Sequence, residues 1–229
     1  MDMKVTSLNL AGYKNWSERE SNIVSYLEAM DSDVIFFQEV KFNLEFSPFT
    51  QSKYLNSLLS TSYPYSQTSV SRIFESGGSE SREGLAVLSK YPISDSEIIV
   101  LRKRADDKHT RIIQKVSVSV DGQTVNFTNV HFSNNDYSDE QLEETLKITK
   151  GRDETSVILG DFNIFDIQTV SSLYSDDYRV STDFYQYVSF PSEKATLDYV
   201  LVPRDFEFIS FSIGENLSDH NALTFELSA

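Results

Sequence analysis

Apolar residues recur along the chain in two alternating rhythms. Residues 4–10 alternate between apolar and polar, the period of a strand whose successive side chains face opposite ways. Val34-Ile-Phe-Phe37 is a short unbroken apolar run, the form of a strand buried on both faces. Between them Ile23, Tyr26, Leu27 and Met30 recur at helical spacing. They predict a helix over residues 17–30, with Ser17 and Glu20 as its capping box. A second helix is predicted near residues 53–60. Strands are predicted over residues 84–89 and 93–101, around a turn at Tyr91-Pro92. Val116, Val118 and Val120 alternate with Ser117 and Ser119, a half-buried strand, and Asp121-Gly122 supplies a two-residue hairpin turn into a return strand over 123–131. A third helix follows over 138–150, with Ser138 and Gln141 as cap pair and Gly151 just past its end. Residues 157–159, 197–202, 206–213 and 222–227 complete the strands. The polar, glycine-bearing stretch over 75–82 reads as a mobile surface loop.

About ten strands and three helices result, with hairpins mixed among strand–helix–strand units. Two β-sheets face to face, with helices outside, accommodate that count. The 229 residues carry 39% hydrophobic and 13% aromatic side chains, too apolar for a disordered chain. A single domain over residues 1–229 can bury a core without disulfide or structural metal. The absence of cysteine excludes a disulfide scaffold and thiolate metal sites. No apolar run is long enough for a membrane-spanning helix. No basic-then-apolar leader opens the sequence, so a cytoplasmic location is expected. Nothing in the sequence identifies a protein partner.

Charge changes the picture more. The formal net charge is −15. Such a field repels polyanions and argues against a protein that coats nucleic acid or anionic membrane. A phosphate substrate remains compatible, because a bound divalent cation reverses the sign locally. The question becomes whether carboxylates cluster for a metal.

Six segments share one form, an apolar strand with metal-binding or proton-transfer groups at its end. They are Leu8-Asn9-Leu10, Val34 to Glu39, Phe127 to His131, Val157 to Asn163, Thr196 to Val202 and Leu217 to Asn221. Asp161 and Asn163 stand two apart, so on an extended chain they share a face and suit a hard cation or its water. Glu39 and Asp219 are the natural further ligands for Mg²⁺, which prefers one or two carboxylates plus water and phosphate. His131 and His220 are two of only three histidines, each beside polar partners and able to move a proton near neutral pH. Any one of these endings alone is ordinarily a solvated or turn residue. Their recurrence in one chain points to a site.

The strings Leu8-Asn9-Leu10-Ala-Gly12, Asp33 to Val40, Glu83 to Ile93, Asn129-Val-His131-Phe, Leu159-Gly-Asp-Phe-Asn163, Leu197-Asp-Tyr-Val200 and Ser218-Asp-His220 together resemble the endonuclease/exonuclease/phosphatase superfamily, the deoxyribonuclease-I-like fold. They fall in the family's order and span nearly the whole chain. The resemblance implies an α/β four-layer sandwich of two mostly antiparallel β-sheets flanked by helices. It implies phosphoester hydrolysis with Mg²⁺ or a similar ion such as Mn²⁺. By that resemblance Glu39 is the principal metal-ligating carboxylate and Asp219 a further one. Asn9 supports metal and substrate, Asp161 orients or deprotonates the attacking water, and Asn163 contacts phosphate. His220 touches the scissile phosphate with Asp198 as its carboxylate partner. His131 matches the histidine of deoxyribonuclease-like members, with Glu83 where its carboxylate partner is expected. Both pairings would raise the histidine pKa. Arg111 matches a phosphate-contacting arginine.

Substrate is less legible. Arg102, Lys103, Arg104, Lys108, His109 and Arg111 form one basic patch, either a solvated hairpin loop balancing Asp106 and Asp107 or a track for a few phosphates. Phe42, Phe46 and Phe49 follow Glu39 and would either stack bases or anchor their loop in the core. The favoured reading is a metal-dependent phosphodiesterase or nuclease acting on DNA, RNA or a nucleotide-like ester. A phosphomonoesterase or inositol/lipid phosphatase is the alternative. A non-catalytic binding protein of the same fold is a third, disfavoured by the intact acid and histidine set.

Overall fold

Two strand–helix–strand units form the centre of the molecule, one in each sheet. The structure, a computed structural model, describes residues 2–76, 78–107, 109–135, 137–151 and 155–228. In the first unit β1 (Asp2–Asn9) and β2 (Val34–Phe42) pair in parallel. Parallel neighbours need a crossover, which α1 (Trp16–Met30) provides. In the second, β7 (Gln123–His131) and β8 (Val157–Asp161) pair in parallel through α3 (Ser138–Lys150).

Antiparallel strands extend each pair. β3 (Tyr65–Ser76), β4 (Ser79–Ser89), β11 (Glu207–Gly214) and β12 (Ala222–Ser228) complete a first sheet of order β11-β12-β1-β2-β4-β3. β5 (Ile93–Val100), β6 (Ile112–Val120), β9 (Tyr178–Val180) and β10 (Asp198–Pro203) complete a second of order β5-β6-β7-β8-β10-β9. The remaining helix, α2 (Gln51–Leu58), lies between β2 and β3 in the chain, and Thr50 caps it by accepting from the Lys53 N–H.

Three apolar clusters make the four layers. Val5, Phe36, Phe127, Leu159, Val200 and Phe225 are buried between the two sheets. Leu8, Ile35 and Phe37 pack with Ile23 and Leu27 of α1 and Leu55 of α2 on the outer face of the first sheet. Val130, Ile158 and Leu201 pack with Leu142 and Leu146 of α3 on the outer face of the second. The central strands are therefore buried on both faces, which is why Val34 to Phe37 reads as an unbroken apolar run. A buried polar line also joins the sheets. Gln38 donates to Asn129 at 2.8 Å, Asn129 to Gln114 at 3.2 Å, and Gln114 to Ser69 at 2.8 Å.

The ten expected strands and three helices are present, and β3 and β9 are two more. The stretch expected as a mobile loop closes the β3–β4 hairpin, with Glu75 opposite Glu80 and Ser76 opposite Ser79. Gly77 lies outside the described residues. The edge strand β3 is rich in serine, so the ladder rather than an apolar face defines it. Both expected helix caps differ. Asn15 caps α1 in a left-handed conformation, and Glu20 accepts from the Trp16 indole at 2.6 Å. Ser138 is the first residue of α3, and Gln141 instead accepts from the Ser133 N–H at 2.8 Å. Asp121 and Gly122, with φ of 50° and 81°, make the expected hairpin turn.

Candidate active site

Asp161 stands at the meeting point of the two sheets. It ends β8, and its register partners are His131 at the end of β7 and Asp198 at the start of β10. Antiparallel pairing makes the start of β10 coincide with the end of β8, so three chemically active side chains share one row. Opposite them, Asn9 ends β1 beside Gln38, and His220 precedes β12, the other neighbour of β1. The facing rims of the two sheets thus gather groups scattered from position 9 to 220.

Local backbone features aim these groups. The β2–β4 register slips between Phe37 and Val40, and Glu39 sits at φ 51° within that irregularity. A bulge re-aims one side chain out of the ladder, and holding a glutamate in the left-handed region costs about 1 kcal/mol or more. Gly160 allows the approach of β8 to β7. It has φ +132°, and a Cβ there would lie 2.1 Å from the Val130 carbonyl oxygen.

Asn9 Nδ2 donates to Asp161 Oδ2 at 3.0 Å and reaches Glu39 Oε1 at 3.4 Å. His131 Nε2 and His220 Nε2 lie 3.6 Å and 3.8 Å from the same Asp161 oxygen. His220 Nδ1 meets Asp198 Oδ2 at 2.7 Å. The Asn163 N–H donates to Asp161 Oδ1 at 3.1 Å, and the Asn163 side-chain amide donates to Phe132 O at 3.0 Å. Asp219 Oδ2 pairs with Lys14 at 3.1 Å.

These neighbours set the proton affinities. Burial pushes the Asp161 carboxyl up to about 7, against the opposing pull of the His220 charge. Burial opposes charge on His220, but Asp198 and Asp161 overcome it and raise the ring to about 10. Burial and then the Arg111 charge hold His131 well below the usual histidine value. The expectation that both histidines would be raised therefore holds for His220 and fails for His131. Glu83, expected as the carboxylate partner of His131, instead accepts from Arg72 Nε at 2.8 Å and Nη2 at 2.7 Å.

Glu39, His131, Asp161, Asn163, Asp219 and His220 line a cleft of about 360 Å³. Glu83 and Arg111 line it too, whereas Asn9 and Asp198 stand behind it as buried supports. The cleft also takes in Arg72, Phe165, Phe190 and Glu193, which sequence reasoning missed. Arg72 was hidden because its strand, β3, carries little apolar pattern. Phe190 packs on His220 at 4.9 Å between ring centroids. The basic patch divides. His109 and Arg111 line the cleft, while Arg102, Lys103 and Arg104 border a separate cavity against α3, where Arg104 pairs with Glu140 at 3.0 Å. Lys108 lies outside the described residues. Phe42 is half-buried, whereas Phe46 and Phe49 are exposed and do not anchor a core.

The donor set fits a hard divalent cation. Glu39 and Asp219 present carboxylate oxygens to the cleft. Burial and then the Glu83 and Asp219 charges raise the Glu39 pKa, a repulsion that a cation would relieve. Asp161, Asp198 and His220 form a second buried group whose candidate ligand atoms lie within 4.8 Å of one another. There the hydrogen bond between His220 and Asp198 already engages one ring nitrogen and one carboxylate oxygen.

Carboxylates that call for a cation, set beside a histidine–carboxylate pair on the rim of a two-sheet sandwich, define the scaffold of a phosphoester hydrolase. The chain belongs to the Endonuclease/Exonuclease/phosphatase family, whose sequence model matches residues 6–220. Members of this family are typically metal-dependent. The fold is similar to an endonuclease/exonuclease/phosphatase family protein from Leptotrichia buccalis C-1013-b, with TM-score 0.80 and 17% identity over 99% of this chain and 100% of that one. It is similar to the mannosyl-6-phosphatase of Bacteroides thetaiotaomicron VPI-5482, with TM-score 0.73 and 17% identity over 99% and 100%. The human Nocturnin catalytic domain, solved with a bound sulfate anion, gives TM-score 0.70 and 17% identity over 99% and 94%. No curated protein matches this chain in sequence. Among the described residues no helix is long and apolar enough to cross a membrane.

Proposed function

We propose that the chain is a divalent-cation-assisted phosphodiesterase acting on a nucleotide-like ester or short nucleic acid. The observation that carries this reading is Asp161, buried at the sheet rim within 4 Å of two histidines and within hydrogen-bond reach of Asn9. In the proposal Asp161 accepts the proton of the attacking water as general base. His220, charged and steadied by Asp198, donates to a nonbridging oxygen as negative charge develops there. Neutral His131 provides a second donor beside it. Glu39 and Asp219 would hold Mg²⁺ or Mn²⁺, which supplies charge neutralisation and Lewis-acid polarisation of the phosphate. Asn9 keeps Glu39 and Asp161 in fixed relation.

The charge distribution supports a compact substrate. The net charge is −15, and Arg104 of the one basic patch is spent on an α3 acid. Long polyanions gain little at such a surface. A substrate panel with Mg²⁺ tests the reading, using bis-p-nitrophenyl phosphate, oligonucleotides, supercoiled plasmid and inositol phosphates. Diester cleavage that disappears in Asp161→Ala is expected. Turnover of phosphomonoesters with no diester cleavage would replace it with the phosphomonoesterase reading.

A further inference from the structure

Arg19 sits where a cation works against its own helix. It is the fourth residue of α1, and a positive charge near a helix N-terminus opposes the macrodipole. Burial also disfavours its charge, and the nearby Asp219 carboxylate opposes that effect. The side chain nevertheless bridges two loops of the candidate site. Its Nε donates to Lys14 O at 2.9 Å, and its Nη2 donates to Leu10 O at 3.1 Å and Gly12 O at 3.2 Å. Its Nη1 crosses to the other loop and donates to Leu217 O at 3.0 Å. The first loop leaves Asn9 and is turned by Ala11 and Gly12, at φ 49° and 50°. The second carries Asp219 and His220. Gly12 O also accepts from Gln51 Nε2 at 2.7 Å, and Gln51 Oε1 accepts from the Lys41 N–H at 3.2 Å, two residues past Glu39. Arg19 thus ties together the segments that present Asn9, Glu39 and Asp219. The tie is under load, because the charge of Asp219 acts unfavourably on Glu39.

We infer that Arg19 is a positioning residue of the cation site, whose guanidinium clamps the loop after Asn9 to the loop before Asp219 and so fixes the separation of Glu39 and Asp219. The inference rests on the cation assignment of the proposed function. Arg19 acts through backbone carbonyls, and its planar fork of five N–H donors is what lets one side chain serve four of them. Charge and geometry make opposite predictions for this residue. Removing a cation beside two carboxylates strengthens divalent-cation binding if charge alone matters. Removing a clamp weakens it, because the ligands no longer stand at a fixed distance.

The test titrates Mn²⁺ alone into wild type, Arg19→Gln and Arg19→Lys by calorimetry, without substrate. Arg19→Gln is expected to bind Mn²⁺ about tenfold more weakly than wild type, the scale of losing a group that orients metal ligands. Unchanged or tighter binding overturns the clamp. Arg19→Lys keeps the charge without the planar fork and is expected to stay weaker than wild type. Wild-type affinity in Arg19→Lys would show that charge suffices and would also overturn it. Amide hydrogen exchange in EDTA separates this inference from the cation assignment. In Arg19→Gln, exchange is expected to quicken about tenfold over residues 10–14 and 217–220 while the α3 amides keep their wild-type rates, the pattern of local opening in a folded chain. Unchanged exchange in both loops overturns the clamp. Failure of wild type to bind Mn²⁺ removes the cation assignment, and the exchange rates then decide by themselves whether Arg19 holds the two loops together. Should Arg19→Gln not fold, Arg19→Lys takes its place in both measurements, with the same expected directions.

Discussion

Asn9 and Asp161 are joined by a 3.0 Å hydrogen bond that crosses from the first sheet to the second. The same Asn9 amide reaches Glu39, and its oxygen accepts the Ala11 N–H at 2.9 Å. One side chain therefore couples Glu39, the acid proposed to face the cation, to Asp161, the acid proposed to face the attacking water. Asn9→Ala is expected to lower kcat/KM about 100-fold, the scale of a small misplacement of reacting groups. The melting temperature should fall by only a few degrees. Wild-type kcat/KM in a folded Asn9→Ala protein would remove this positioning role.

Burial of Asp161, the proposed general base, costs stability once the carboxyl ionises. Its folded pKa is about 7, against 3.8 for the free group, so the native state holds the proton more tightly than the unfolded state between those values. Stability linked to this group falls as pH rises from 3.8 towards 7. At pH 8 the buried carboxylate is ionised and unfavourable. Asp161→Asn should abolish hydrolysis and gain about 1 kcal/mol, the usual size of a single stabilising change. Thermal melts at pH 8 measure it, and a lowered melting temperature would contradict the account.

His220 carries the matching pH dependence. Its ring is raised from 6.5 to about 10, chiefly through Asp198. The stability it contributes is complete below 6.5 and is lost as pH climbs towards 10. Melting curves from pH 6.5 to 10 should therefore decline less steeply in His220→Gln than in wild type. Parallel declines would show that the pair with Asp198 does not stabilise the fold.

Most central elements were legible because their burial is written in their composition. Val34 to Phe37 and the Val116–Val120 alternation needed no tertiary information. The acids and histidines were legible because they recur at strand ends. What could not be read depended on contacts distant in sequence. β3 is polar, so Arg72 and its claim on Glu83 were invisible, and His131 was given a partner that Arg72 takes. The Arg104–Glu140 pair likewise joins residues distant in sequence and sets part of the basic patch against α3. Capping motifs failed for a related reason. Glu20 and Gln141 found tertiary or aromatic partners that outweighed a local backbone bond.

Gly160 is the tightest steric constraint behind the site. An added methyl would lie 2.1 Å from the Val130 carbonyl oxygen, on backbone that cannot yield without opening the β7–β8 ladder. The φ of +132° adds strain for any L side chain. Gly160→Ala is expected to destabilise the protein by at least ~2 kcal/mol. Urea denaturation reads this directly, and a cost below ~0.5 kcal/mol would show that β7 and β8 separate more easily than the geometry implies.

The carboxylates of the cleft repel one another, and that repulsion makes metal binding visible without any substrate. Glu39 is raised by burial and by the charges of Glu83 and Asp219. The proposed cation, held by Glu39 and Asp219, would bind only the folded state and so stabilise it by RT ln(1 + [L]/Kd). At a Mg²⁺ concentration 100 times Kd the gain is ~2.7 kcal/mol, several degrees in melting temperature. Wild type should show that rise with Mg²⁺ or Mn²⁺ and lose it in EDTA, in step with activity. Glu39→Gln should abolish the rise while melting at or above wild type in EDTA, because one of the repelling charges is gone. An equal Mg²⁺-dependent rise in Glu39→Gln would place the cation elsewhere, with the buried Asp161, Asp198 and His220 group as the next site to test.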